Sequence, residues 1–462
     1  MKAFRKILML LILLSALVVL ALLISARAGL PLLDSLLPGS GSAPAPGQAT
    51  AVPLPVTETP ADAAEPTAEP ESEPEPTPTP EPTPEPTPTP EPEAETVNIT
   101  VTYRGKVCDV LTDGKFTTAK NYMPGETMTV TSQQDMYALY IQWDYQPGEW
   151  TLICGEQELE RGQNGYWHEY IVLPEPCKEL KLRIPTNAEP EIADIYAFGP
   201  GARPDWVQDW EEPWDEADLL VFPTHSDDEF IFLGGVIPYY IAQDLRVQVA
   251  YVVRHKTYRY HEMLDSLWEA GIRHYPVTST RGDMYENTVG GAIRDYGQDY
   301  MTSYMVEQIR RFKPLVVVGQ AEDGDSGHSV HVFGVMCLKD AVAKSGDETV
   351  YTLSSEQYGA WDVPKTYLHL YGDEEKMVTL DFDEPLTCFD GASAFDMADR
   401  AFAKCVSQYT MGKYQVYKAD SEHDSRKFGL FRTTVGEDTQ FDDLFENIDA
   451  GALRAASVKT EG

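Results

Sequence analysis

Proline governs the first fifth of the chain. Nineteen of the 34 prolines fall between Pro31 and Pro92, many alternating with Glu and Thr, as in Pro74-Glu75-Pro76-Thr77-Pro78-Thr79-Pro80. Each proline fixes φ and removes a backbone donor, and neighbouring glutamates repel one another. Segment 29–95 is therefore expected to be an extended, solvated stalk, reaching on the order of 200 Å at about 3 Å per residue. Packed structure belongs to what lies on either side of it.

On the N-terminal side, Lys2, Arg5 and Lys6 precede an apolar run, Ile7 to Ile24, broken only by Ser15. Basic residues ahead of such a run keep the N-terminus in the cytoplasm and send the rest across. Residues 1–28 are expected to be a retained signal-anchor helix, with the cell membrane as partner and a single-pass protein facing outwards. Ala26-Arg27-Ala28 also fits a signal-peptidase site, and cleavage after Ala28 gives a secreted protein instead.

The net charge is −38, with +3 on residues 1–50 and twelve acidic but no basic residues over 51–96, leaving −29 on residues 97–462. Nucleic-acid binding depends on Lys and Arg displacing condensed counterions, so this body is not built for it. Six cysteines (108, 154, 177, 337, 388, 405) have no zinc-ribbon spacing. Their pairing stays open, Cys154 with Cys177 being one possibility. Asn98-Ile99-Thr100 matches a glycosylation triplet.

After the stalk the pattern has period two. Val97, Ile99 and Val101 alternate, and 128–130, 137–143, 150–154 and 180–184 are short β-rich runs punctuated by Asp113-Gly114, Pro124-Gly125, Pro147-Gly148 and Asn164-Gly165. Such spacing predicts an antiparallel sandwich over 96–200. Leu111-Thr112-Asp113-Gly114, the 180–184 run and Ile192-Ala193-Asp194-Ile195-Tyr196-Ala197-Phe198-Gly199 resemble discoidin-type, galactose-binding-like jelly rolls. That resemblance implies either a carbohydrate module or a brace for a neighbouring domain. A joint, 201–216, carries Trp206, Trp210 and Trp214, which are expected to pack the neighbouring domains together.

From residue 217 the grammar becomes α/β. Apolar strands at 219–222, 247–253 and 315–318 alternate with helical patterns at 230–242 (kinked at Pro238), 258–270, 305–312 and 332–342. This predicts a Rossmann-like domain with a mostly parallel sheet over 217–435, followed by an acidic tail, 436–462. Ligands of such sheets sit beyond the carboxyl ends of the strands.

Two strand ends carry the chemistry. Thr224-His225-Ser226-Asp227-Asp228-Glu229 follows the first strand, and Gly327-His328-Ser329-Val330-His331 follows the third. Alone, an acidic turn is a helix cap and an H-x-x-H is a surface pair. Together they offer two imidazoles and a carboxylate for three corners of a tetrahedral zinc site, with a spare carboxylate as base. Here the sequence resembles the GlcNAc-phosphatidylinositol de-N-acetylase family, the LmbE-like zinc deacetylases. Their His-Pro-Asp-Asp-Glu and Gly-His-x-x-His signatures stand as residues 225–229 and 327–331. Arg259, Glu262 and Gly271 match a third feature, and Ser407-Gln408 a fourth.

The resemblance implies zinc ligands His225, Asp228 and His331, with Asp227 as the general base and His328 as a cationic group beside the oxyanion. It further implies Arg259 on sugar hydroxyls and Glu229 behind the ligands. Ser226 replaces the usual Pro, Val330 replaces an Asp that often supports the last His, and Cys405 replaces a His. The expected function is an extracytoplasmic zinc-dependent hydrolase that removes the acetyl group from an N-acetylated sugar or glycan. The competing readings are a non-catalytic carbohydrate-binding surface protein and a zinc amidase acting on a non-sugar amide.

Overall fold

The computed structural model describes residues 91–184, 191–419 and 421–460. The expected anchor, 1–28, lies outside the described residues, as does the stalk up to residue 90. Among the described residues no helix is long and apolar enough to cross a membrane. The expected membrane location and membrane partner are accordingly withdrawn.

Two sheets organise the described chain. The first is antiparallel and contains β1 (Thr96–Val97), β2 (Ile99–Tyr103), β3 (Lys106–Val107), β4 (Lys120–Asn121), β5 (Thr127–Trp143), β6 (Trp150–Cys154), β7 (Gln157–Arg161), β8 (His168–Arg183) and β9 (Glu191–Phe198). Its main path runs β1-β9-β5-β8-β6-β7, with β2 also on β5. The long strands β5 and β8 serve two sets of neighbours. The first half of β5 lies between β2 and the end of β8, and the second half lies between β9 and the start of β8. Between the halves the register breaks, from Thr131 to Met136 and again before Ala138. Alternation then sorts the second half of β5: Leu139, Ile141 and Trp143 enter this sheet's core, while Ala138 and Tyr140 pack with Phe198 and Val207.

The second sheet contains β10 (Leu219–Phe222), β11 (Val247–Tyr251), β12 (Val277–Thr278), β13 (Val316–Gly319), β14 (Lys365–His369), β15 (Met377–Thr379) and β16 (Lys427–Thr433). Its order is β12-β11-β10-β13-β14-β16-β15, parallel through β14 and antiparallel for the last two strands. Strands β10, β11, β13 and β14 are buried along their whole length, as in a sheet covered on both faces; β10 and β13 are unbroken apolar runs, whereas β11 buries Gln248 and β14 buries Lys365, Thr366 and His369. The chain order reverses between β10 and β13, and Phe222 pairs with Gly319. Both motif-bearing turns thus leave the sheet side by side, at a switch point.

The helical pattern at 230–242 is not one kinked helix. It splits into Asp228–Ile231 and Val236–Ile241, with Gly234 left-handed between them and Pro238 inside the second piece. The other helices at the site are Thr257–Glu269, Ser329–Lys344 and the short Val406–Tyr409.

Both sheets fall in one compact unit, joined by aromatic packing. Trp167 stacks on Tyr260 with centroids 4.2 Å apart, and Tyr166 stacks on Tyr275 at 4.3 Å. From the joint, Trp210 packs on Trp268 and Tyr275, Trp206 lies against Tyr140 and Tyr196 of the first sheet, and Trp214 stacks on His274. All six cysteines are free.

Candidate metal centre and catalytic cavity

After Phe222 the chain turns through residues 223–227 into a single helical turn. Four acidic or imidazole side chains in five residues are all nearly buried here, His225 being the most exposed at 9%. Sequestered backbone donors need partners, and side chains supply them. The His225 amide donates to Asp228 Oδ2 at 2.7 Å, that of Ser226 to His255 Nε2 at 2.6 Å, and that of Asp227 to Glu229 Oε2 at 2.9 Å. Tyr251 donates to the other oxygen of Glu229 at 2.7 Å. This scaffold holds Asp227 at φ 124°, a backbone region that side-chain-bearing residues avoid.

His225, His328 and His331 form a cluster able to hold a metal ion, their ligand atoms all within 4.8 Å of one another. A tighter set exchanges His328 for Asp228. Asp228 Oδ2 lies 3.3 Å from His225 Nδ1 and 3.2 Å from His331 Nε2, and those two nitrogens are 2.9 Å apart. Ligands 2.0–2.1 Å from a tetrahedral zinc are separated by about 3.3 Å, close to this spacing.

Tautomers support the fit. His331 Nδ1 is 3.1 Å from both the Gly324 carbonyl and the Gln320 amide nitrogen; the tautomer that donates from Nδ1 to the carbonyl leaves a lone pair on Nε2 for a metal. His225 Nε2 faces Asp283 Oδ1 at 3.6 Å, leaving its Nδ1 lone pair turned inward. Two lone pairs and a carboxylate oxygen therefore converge, an arrangement that repels itself unless a positive charge sits among them. The His225 pKa reflects the same demand: burial pushes it down, but Asp228 and Asp283 outweigh burial and take it to about 9.

Asp227 stands beside this trio. Burial first, then the neighbouring Asp228, push its carboxyl up to about 7, while Arg259 pulls the other way. Arg259 Nη2 lies 3.3 Å from Asp227 Oδ1 and donates to Ser226 O at 2.7 Å. Glu229, behind the turn, is pushed by burial to about 8. Burial, then His331 and His225, hold His328 down to about 4, so at neutral pH its imidazole is uncharged, unlike the cation expected from the sequence.

His225, Asp227, Asp228, Arg259, His328 and His331 all line one cavity of about 170 Å³, along with Asp283, Tyr285, Ser326, Gln408 and Tyr414. Glu229 supports it from outside. The two remaining sequence features meet each other: Ser407 donates through its amide and hydroxyl to the Glu262 carboxylate at 2.8 and 2.6 Å, next to Gln408. Val330, where the resemblance leads one to expect a supporting carboxylate, is buried in the helix core. Gly324 O and the Gln320 amide border His331 instead.

Sequence reasoning missed His255 and Asp283. Burial first, then Arg259, hold His255 well below its usual value. Burial pushes Asp283 up, but the His225 imidazole outweighs it and brings the carboxyl down to about 2. His255 lies just beyond β11, so the strand-end rule alone could have flagged it. Asp283, in a loop after β12, carried no sequence signal.

The chain matches no family model and no curated protein. Among solved structures it is similar to the conserved protein TT1542 from Thermus thermophilus, at 16% identity over 42% of this chain and 81% of that one, with a TM-score of 0.30. It is also similar to an N,N'-diacetylchitobiose deacetylase from Pyrococcus horikoshii, at 15% identity over 43% and 74%, TM-score 0.31. A third likeness is to CpGH89CBM32-6 produced by Clostridium perfringens, at 13% identity over 22% and 94%, TM-score 0.19. Likenesses this weak carry no argument about substrate or activity.

Proposed function

We propose that this chain is a zinc-dependent N-deacetylase that hydrolyses the acetamide of an N-acetylglucosamine-type sugar or glycoconjugate. The observation that carries the reading is the convergence of His225 Nδ1, Asp228 Oδ2 and His331 Nε2 within 2.9–3.3 Å, beside the strained, buried Asp227. In this reading those three residues hold the metal. A zinc ion there supplies Lewis acidity, activating water and polarising the acetamide carbonyl.

The protein groups divide the remaining work. Asp227, with a pKa of about 7, takes the proton of the attacking water and returns it to the amine as the C–N bond breaks and acetate leaves. Arg259 holds Asp227 in place and opposes the rise of its carboxyl, favouring the ionised form. Its Nε has no protein partner, which suits a hydroxyl of the bound sugar. His328, uncharged at rest, lines the cavity and stabilises charge developing on the carbonyl oxygen. Asp283 orients His225 from outside the ligand set, as carboxylates behind metal-binding imidazoles do. The division into a β-domain over 96–200 and a catalytic domain over 217–435 belongs to the same proposal.

The test is acetate release from a panel of N-acetylglucosamine oligomers, their glycoconjugates and non-sugar acetamides. Release confined to the sugars supports the reading, and turnover of the non-sugar amides alone refutes its substrate class.

A further inference from the structure

The helix Thr257–Glu269 has two working faces. Towards the cavity, Arg259 reaches Asp227 and Ser226, and Glu262 holds Ser407. Two residues on from Arg259, about 200° around the helix, His261 points the other way, towards the first sheet. His261 Nδ1 lies 2.8 Å from His168 Nε2 of β8, and its Nε2 lies 3.3 Å from Asp144 Oδ1. Phe116 stacks on the His261 ring, centroids 5.0 Å apart. One helical turn later, Asp265 accepts from Gln208 Nε2 at 2.6 Å, and Gln208 Oε1 lies 2.6 Å from His168 Nδ1.

These contacts form a closed circuit. Gln208 Oε1 can only accept, so His168 bears its proton on Nδ1 and presents a lone pair at Nε2, which His261 Nδ1–H fills; the His261 Nε2 lone pair then pairs with Asp144 only when that carboxyl is protonated, a form that burial favours by raising it to about 6. Tyr140 and Trp210 complete the polar contacts of His168 and Gln208. Both imidazoles are completely buried. Burying polar groups this deeply is favourable only when every one is paired. None of these residues touches the cavity, so the catalytic chemistry gives them no use.

We propose that the first sheet is a positioning element of the active site. In this proposal His168 and Gln208 grip the helix at His261 and Asp265 and fix its rotation, which sets Arg259 against Asp227. Tyr166 and Trp167, next to His168 in sequence, add stacking on Tyr275 and Tyr260 to the same contact. The inference rests on the reading of Arg259 and Asp227 as deacetylase groups, but its test does not depend on activity alone.

The experiment uses the full chain with His168→Phe, which removes both ring nitrogens, and His168→Gln, which keeps a donor and an acceptor. Hydrogen exchange along 257–269 and metal content are measured with kcat and KM, each with and without Arg259→Ala. Expected for His168→Phe are faster exchange across the helix, unchanged metal content and a kcat about tenfold lower, as for a small misplacement of a catalytic group. In the Arg259→Ala background the same substitution should cost less than about twofold, because the two act through one another. His168→Gln should recover most of the loss, and if His168→Phe does not fold, the smaller His168→Gln loss should show the same non-additivity. Unchanged helix exchange in a folded variant overturns the proposal, and so does an equal loss with and without Arg259. An inactive wild type refutes the deacetylase reading, while helix exchange still decides the positioning role.

Discussion

Gly324 and Gly327 make a matched pair within one turn. Both are left-handed, at φ 76° and 73°, so alanine at either costs about 1–2 kcal/mol of backbone strain. They differ in what a Cβ would meet. At Gly327 nothing lies within 4 Å, whereas at Gly324 it would sit 2.7 Å from His328 O, 2.9 Å from Val332 Cγ2 and 3.0 Å from Val332 N. Backbone atoms cannot swing aside, so Gly324→Ala must displace the turn, adding about 1–3 kcal/mol of overpacking. The displaced atom that matters is the Gly324 carbonyl, the acceptor for His331 Nδ1–H in the metal-binding tautomer. Lost support of this kind typically costs 10–100-fold in metal affinity. Gly324→Ala is thus expected to lose about 2–5 kcal/mol of stability and at least about tenfold in zinc affinity. Gly327→Ala should lose about 1–2 kcal/mol and keep its affinity. Denaturant melts of the metal-free variants and competition titrations with a zinc chelator read both quantities. Equal affinities in the two variants would refute the role given to the Gly324 carbonyl.

Asp227→Asn should bind zinc as the wild type does but lose on the order of 100-fold or more in kcat, the usual scale for a missing general base; full activity would require another base. The metal-free protein should lose stability as pH rises from about 7 to 9. Glu229 and His225 have native values near 8 and 9, above their unfolded ones, so the native state binds the extra protons and their contribution fades through this window, that of Asp227, near 7, being largely lost by its start. His255 and His328 act oppositely, but only below their unfolded value of about 6.5. Melts at fixed ionic strength check the sign, and a metal-free protein that gains stability over that range contradicts it. Arg310 is fully buried and donates to the carbonyls of Ser345, Asp347, Val350 and Tyr351 and to Ser354 Oγ, so Arg310→Met should destabilise by more than about 3 kcal/mol through orphaned acceptors. A change under about 1 kcal/mol in the same melts would mean that water replaces the guanidinium.

The sequence was most legible where pattern and packing agree. The apolar runs at 219–222, 247–253 and 315–318 could only be buried strands, and β10, β11 and β13 start within one residue of each. The two charged turns stood out because they follow such strands. Strand β8 was hidden by Pro174 and Pro176, which break the pattern in the middle of a sixteen-residue strand. The structure tolerates them because pairing with β5 lapses between Val172 and Cys177, where no ladder donor is needed. Strand β5 reads in sequence as two runs because polar Gln133-Gln134-Asp135 interrupts its apolar alternation. The helix expected over 230–242 failed at Gly234, whose left-handed backbone ends the first turn. Asp283 and the His168–His261 contact were illegible because each depends on elements far apart in sequence meeting in space, whereas His255, just past the end of β11, was within reach of the strand-end rule.

The central claim is that metal and Asp227 together cleave an acetamide. Its most direct measurement is acetate release from an N-acetylglucosamine oligomer while metal-free protein is titrated with zinc, wild type beside Asp227→Asn. Wild-type activity is expected to rise linearly to a plateau at one zinc per chain, and Asp227→Asn to take up the same single zinc with almost no acetate produced. Activity in the metal-free protein, or none at full zinc occupancy in the wild type, would contradict it.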